Sequence, residues 1–427
     1  MVPVAPPAAG GAHPYRPTLH SCYLGFVTQA IVNNLAPLLF VLFRNSFGLS
    51  YEQVGRLVLL NFGTQIAADL IAMRYADRVG YRFGVVLAHG FCAAGLVALG
   101  VFPFLFSAPY PGLAIAVILY AIGGGFIEVL MSPIVDALPG EEKASAMSLL
   151  HSFYCWGQAA VILLSTVAIR LAGEQLWFVL PVLWAILPLY NLLRFRKVPM
   201  PSLPDGKTTT PLRRLSRSGL FRTAVLLMLC AGASELTMTQ WSSLFAEQGL
   251  GIPKIVGDLL GPGLLAVFMG IVRTWYGLRG AGVDLRRLLW VSGFACVACY
   301  ALAIFARSPV AALAGCAACG FTVALMWPGT LSLSAARFPA GGTALFGALA
   351  VAGDLGGSAG PWIAGLVYDL ASRPGPLATL ANVLFSDAGS GALRIGLLAA
   401  SVFPVVFFVG MFSLRIKKNR TTDLKDS

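Results

Sequence analysis

The sequence predicts an all-α polytopic membrane protein, with twelve transmembrane helices in two pseudo-symmetric six-helix bundles. Three observations lead there. Of the 427 residues, 57% are hydrophobic and only 11% charged. With a mean hydropathy of +0.79, this leaves too little polar surface to cover a water-soluble globule of that length. Apolar stretches of roughly 20 residues, enough to cross a bilayer as helix, recur about twelve times. Finally, one pattern occurs twice. Gly125-Phe126-Ile127-Glu128-Val129-Leu130-Met131-Ser132-Pro133 and Gly320-Phe321-Thr322-Val323-Ala324-Leu325-Met326-Trp327-Pro328 share Gly-Phe, three variable residues, Leu-Met, any residue, Pro. A membrane-depth segment repeated half a sequence later implies two related bundles, with ion and substrate sites expected where they meet.

The spans fall at 19–44, 53–74, 83–106, 110–138, 145–171, 175–195, 220–246, 255–278, 285–307, 309–336, 342–370 and 393–414. No alternating-strand pattern is present, so helices are the lipid-compatible choice. With both termini cytoplasmic, about 23 of the 30 Lys and Arg lie inside and about 7 outside. The net charge of +12 then reads as an orientation signal beside anionic lipid, and no nucleic-acid partner is expected. The segment from Arg194 to Arg222, with Pro199, Pro201, Pro204 and Pro211, reads as a cytoplasmic linker. The expected organisation is an N-terminal tail over 1–17, a first bundle over 18–195, a linker over 196–219, a second bundle over 220–414 and a tail over 415–427. The first tail is Pro-rich and poor in bases, unlike a cleavable signal peptide. Val54-Gly55-Arg56-Leu57 and Val256-Gly257-Asp258-Leu259 extend the repeat to the second and eighth spans. A direct repeat of six helices is the parallel pseudo-symmetry of alternating-access carriers.

Tyr75-Ala76-Asp77-Arg78-Val79-Gly80-Tyr81-Arg82, in the tight turn between the second and third spans, resembles the signature loop of the major facilitator superfamily, with its Asp-Arg-x-Gly-x-Arg core. Gly270, Arg273, Gly277 and Arg279 form a weaker echo in the second half. The family's leading Gly is Met73 here. The resemblance implies a gating role for Asp77, Arg78, Arg82 and Arg273, and charges near helix ends suit a breakable latch. Within that superfamily the chain looks most like the fucose permease branch of sugar–cation symporters. Gly123 to Pro133 is similar to that branch's fourth helix, whose acid is a proton-coupling site, and the match carries over to Glu128. Asn33-Asn34-Leu35 also resembles it, whereas the branch's first-helix acid aligns with Pro37.

Independent of the resemblance, Asp69, Glu128, Glu235 and Asp354 fall inside apolar runs, where an ionised side chain is costly and rarely kept without a task. Few bases lie at comparable depth, His151 being the clearest, while the arginines cluster toward helix ends. Protonation of some acids, or a bound cation, is therefore expected, with Glu128, Glu235 and Asp354 as coupling residues. Gln29 and Asn33, one turn apart, and Asn34 are candidates for solute hydroxyls, with interhelical bonding the alternative. His151 and Gln158 share a helix face with Cys155, beside Trp156. The histidine suits proton shuttling or a plain bond to a backbone carbonyl. Gln240 beside Trp241 is an amide next to an aromatic ring, the pairing a pyranose uses; packing is the alternative. Asp69 suits either the interior or the gating charges.

Cys296-x2-Cys299 and Cys316-x2-Cys319 have zinc-like spacing, but each is one face of an apolar helix, so no metal is expected. Phosphate-loop, zinc-protease and nucleophile-elbow patterns are absent, which argues against an enzyme, a cofactor or direct ATP drive. The reading is a monomeric secondary transporter in a bacterial inner membrane, importing a sugar or similar polar solute by H+ or Na+ symport. Proton antiport of a drug and a non-transporting membrane receptor are the alternatives.

Overall fold

The computed structural model describes residues 14–49, 51–140, 142–202, 210–253, 256–257, 259–385 and 388–413. Most of both expected tails and the middle of the linker lie outside them. The described residues are helical and contain no strand. They form two compact units, Met1–Thr209 with Ala340–Gly347, and Thr210–Pro339 with Ala348–Ser427.

In the first unit the helices are α1 (Arg16–Phe47), α2 (Tyr51–Val79), α3 (Tyr81–Leu105), α4 (Pro109–Ala137), α5 (Lys143–Ala172), α6 (Val179–Trp184) and α7 (Ile186–Phe195). The second unit holds a short α8 (Leu212–Leu215), α9 (Gly219–Leu244), α10 (Leu264–Arg279), α11 (Leu285–Phe305), α12 (Pro309–Val323), α13 (Met326–Arg337), most of α14 (Gly342–Ala371), α15 (Pro376–Leu384), α16 (Ala388–Ala400) and α17 (Val402–Ser413). Ten of the helical segments are by themselves long and apolar enough to cross a bilayer, and Val179–Phe195 is a shorter apolar one. With α14 they make the twelve spans. Apolar side chains left exposed along them, such as Leu59, Phe104, Leu163, Leu171, Phe294 and Trp362, form the surface that lipid covers and that water would not tolerate.

Three spans are broken, and each break has the same cause. Proline lacks the N–H that would bond the carbonyl four residues earlier, and its ring crowds that carbonyl. Helix α6 gives way to α7 at Ala185, three residues before Pro188; α12 stops at Val323 and α13 resumes at Met326, with Pro328 two residues on; α16 gives way to α17 at Ser401, three residues before Pro404. By contrast, Pro37, Pro103 and Pro133 sit inside continuous helices.

Glycines set the closest helix contacts. A Cβ on Gly95 would stand 2.3 Å from the Tyr120 amide, joining α3 to α4, and one on Gly356 would stand 1.9 Å from the Leu229 carbonyl, joining α9 to α14. The repeated Gly-Phe pattern has one structural meaning in both units. Gly125 on α4 abuts the Gln65 carbonyl of α2, and Gly320 on α12 abuts the Leu265 carbonyl of α10. Only glycine allows backbones to approach so far.

Polar ties join particular helices. In the first unit His89 Nε2 accepts from Asn191 Nδ2 at 2.8 Å, which also donates to the Ser21 carbonyl at 2.9 Å, linking α3, α7 and α1. In the second, Arg394 donates to the carbonyls of Ile304 and, at 2.9 Å, Ala306, at the end of α11.

Candidate functional site

Helices α1, α2 and α4 bring a chain of amides to the Glu128 carboxylate. Gln29 Nε2 donates to Glu128 Oε2 at 3.2 Å and to Gln65 Oε1 at 2.9 Å. Gln65 Nε2 in turn donates to Asn33 Oδ1 at 2.7 Å, which also receives Asn61 Nδ2 at 3.4 Å. Helical spacing accounts for the assembly. Gln29 and Asn33 are one turn apart on α1, while Asn61, Gln65 and Asp69 occupy successive turns of one face of α2. Gln29, Asn61, Gln65 and Asp69 are all buried. The expected Gln29, Asn33 and Glu128 are thus brought together. Asn61 and Gln65 complete the cluster, and Asp69 lies within it, fully buried, rather than among the loop charges.

Asn34 turns back on its own helix, donating to the Ala30 carbonyl at 2.9 Å. His151 is buried on α5 with Nδ1 on the Met147 carbonyl at 2.9 Å. Its face meets Phe26 edge-on at 4.7 Å. Gln158 is half-buried, and Trp156 is 40% exposed.

In the second unit Glu235 has a partner that the sequence reading placed elsewhere. Arg273, expected in a loop echo of the signature turn, lies inside α10 and is 3% exposed. Its Nη2 pairs with Glu235 Oε2 at 3.0 Å, and its Nε donates to the Ala324 carbonyl at 2.7 Å. That carbonyl is the one Pro328 cannot bond. Arg273 therefore occupies the helix break of α12–α13 and neutralises the acid of α9 at once. The expectation that the arginines stay near helix ends fails here, since Arg273 lies within the expected span 255–278 and inside α10, which ends at Arg279.

Asp354 is half-buried on α14, where the Ser358 hydroxyl donates to its carbonyl at 3.0 Å. Trp241 Nε1 donates to the Pro361 carbonyl at 3.1 Å and its ring meets Tyr368 edge-on at 6.0 Å, tying α9 to α14. Gln240 is exposed. In the signature turn Gly80 has φ of 95°, a left-handed conformation that explains its glycine. Arg82 Nη1 donates to the Phe195 carbonyl at 2.7 Å, at the end of α7, and Arg78 is exposed. The Asp77 side chain is outside the described ones. Met73, where the signature has glycine, faces Gly347, whose Cβ would stand 2.9 Å from it. Among the described residues no group of three or more His, Cys, Asp and Glu is arranged to hold a metal ion. The four cysteines of α11 and α12 are free thiols, with Cys296 and Cys319 sulfurs 3.8 Å apart.

The family model described as Major Facilitator Superfamily matches residues 22–361. The chain belongs to the major facilitator superfamily. No curated protein matches it by sequence. Among solved structures it is similar to the Escherichia coli fucose:proton symporter, at 17% identity and a TM-score of 0.72 over 94% of this chain and 99% of that one. It is also similar to a proton:xylose symporter bound to 6-bromo-6-deoxy-D-glucose, at 14% identity and 0.75 over 93% and 95%. A human organic anion transporter matches at 16% identity and 0.71 over 93% and 99%. At these identities the likeness is one of fold. It is a multi-pass membrane protein of twelve helices in the major facilitator architecture.

Proposed function

We propose that this chain is a secondary active transporter that moves a small polar solute, with sugars the leading class, by cation symport through alternating access in a bacterial inner membrane. Both termini face the cytoplasm in this reading. The observation that carries it is Glu128 at membrane depth, bonded to Gln29 and through it to Gln65, Asn33 and Asn61. An acid there responds to a cation, while amides offer paired donors and acceptors that match solute hydroxyls. Loading the carboxylate and loading the solute then act on one hydrogen-bonded cluster, which is the physical requirement for coupling.

The neighbouring folds named for fucose and xylose support these two sugars as first probes. Asp354 is the further coupling candidate in the second half. Glu235 already has an internal cation in Arg273, which leaves Glu128 as the principal coupling acid. Asp77, Arg78 and Arg82 remain the proposed gating charges.

The test is uptake of radiolabelled sugars and polyols by proteoliposomes holding the purified protein, with proton or sodium gradients imposed separately. Accumulation that collapses with one of the gradients is expected. Ligand binding with no counterflow would instead assign the chain to the receptor class.

A further inference from the structure

Where α11 begins in the second unit, two arginines adjoin a cluster of four aromatic rings. Arg286, Trp290 and Phe294 follow one another at four-residue intervals on α11, with Arg287 beside Arg286, and Phe408 and Phe412 are one turn apart on α17. Gly293 lets the two helices close up, since a Cβ there would stand 3.0 Å from Phe408 Cα. Trp290 lies parallel to Phe294 at 6.4 Å between centroids and meets Phe408 at 5.2 Å and Phe412 at 5.9 Å. The cluster is uncovered: Phe294 is 58% exposed, Phe412 44% and Trp290 36%. Beside it, Asp284, Arg286, Arg287, Trp290, Met411 and Phe412 line a hollow of about 390 Å³.

The polar groups of this hollow are mostly donors without a protein acceptor. No carboxylate among the described residues pairs with either guanidinium, and Trp290 Nε1 has no acceptor among them. The one acid, Asp284, is already engaged, its Oδ1 accepting from the backbone amides of Arg286 and Arg287 to cap α11. Its charge offsets one arginine and leaves the hollow cationic. Arg286 also lines a smaller hollow shared with Arg337, at the end of α13, so the cationic rim continues past α11.

An occupant has to meet both the arginines and the rings. A soluble anion such as free phosphate would satisfy the guanidinium forks and leave the rings uncovered. A zwitterionic lipid would cover the rings and bring an ammonium group beside the arginines. An anionic phospholipid suits both, with its phosphate on the guanidinium forks, its ester region at the indole N–H and its acyl chains on the rings.

We propose that the groove between α11 and α17 is a binding site for an anionic phospholipid, with Arg286 and Arg287 holding its phosphate and Trp290 anchoring it at the membrane interface. The proposal does not depend on the transport reading.

The experiment is tryptophan quenching of the full-length protein in vesicles of phosphatidylcholine and phosphatidylglycerol at equal mole fraction, with bromine on the acyl chains of one lipid or the other. The Trp290 signal is the difference between the protein and Trp290→Phe. Brominated phosphatidylglycerol is expected to quench it several-fold more than brominated phosphatidylcholine, because each arginine near the surface favours anionic lipid. Arg286→Gln with Arg287→Gln should bring the two lipids level while quenching by phosphatidylcholine persists, which also reports an intact fold. Arg213→Gln with Arg214→Gln, removing the same charge from α8, should keep the preference. Equal quenching by the two lipids, or a preference that survives in the Arg286–Arg287 variant, would overturn the site. An equal loss in both double variants would do the same, by assigning the preference to net charge alone. Trp290 quenched by neither lipid would mean that a second copy of the chain covers the rings, and would also overturn the site.

Discussion

A carboxylate inside a membrane is tolerated according to the partners it finds, and Glu128 and Glu235 find different ones. Glu128 accepts from the neutral amide of Gln29. Glu235 is met by Arg273, whose second contact fills the carbonyl Pro328 leaves without a donor. Removing one member of a buried pair strands the other charge, at a cost of about 3–5 kcal/mol. Arg273→Gln should therefore lower stability by about that much in detergent unfolding experiments. The double variant Arg273→Gln with Glu235→Gln should recover most of the loss. A double variant no more stable than Arg273→Gln alone would show that Arg273 matters through Ala324 and packing, not through the charge of Glu235.

Between helices, glycine and proline decide geometry. Gly356 sits where a Cβ would meet the Leu229 carbonyl at 1.9 Å, whereas Gly63, exposed on α2, has nothing within 4 Å. Gly356→Ala should cost about 1–3 kcal/mol as α9 and α14 are forced apart, and Gly63→Ala should gain about 0.5–1 kcal/mol from helix propensity. Denaturation of the two variants side by side measures both signs. The sequence reading located all twelve spans because an apolar run of bilayer length is a direct physical requirement. It did not locate the helix breaks. Pro188, Pro328 and Pro404 break their helices while Pro37, Pro103 and Pro133 do not, and at Pro328 the freed carbonyl has a donor from another helix. Arg273 is that donor, 51 positions away from Ala324. Asn61 went unnoticed, and Gln65 was marked only by its place one turn from Asp69, because uncharged amides barely disturb an apolar run. Their spacing of four residues, continued by Asp69, is the signal that could have found them.

Across the whole molecule the duplicated Gly-Phe pattern marks equivalent helices, and the two copies have diverged in chemistry. In one unit the pattern carries Glu128 and its amides. In the other, the equivalent helix is broken and its Ala324 carbonyl accepts from an arginine that also pairs with Glu235 on α9. In the proposed reading coupling is concentrated in the first half, while Glu235 of the second half is held in an ion pair with Arg273. The measurement that bears most directly on this is solute movement by Glu128→Gln in proteoliposomes, comparing gradient-driven accumulation with counterflow of the same labelled sugar. The variant should lose accumulation and keep counterflow, because solute can still exchange when no ion is carried. Accumulation at the wild-type level by Glu128→Gln would contradict the account.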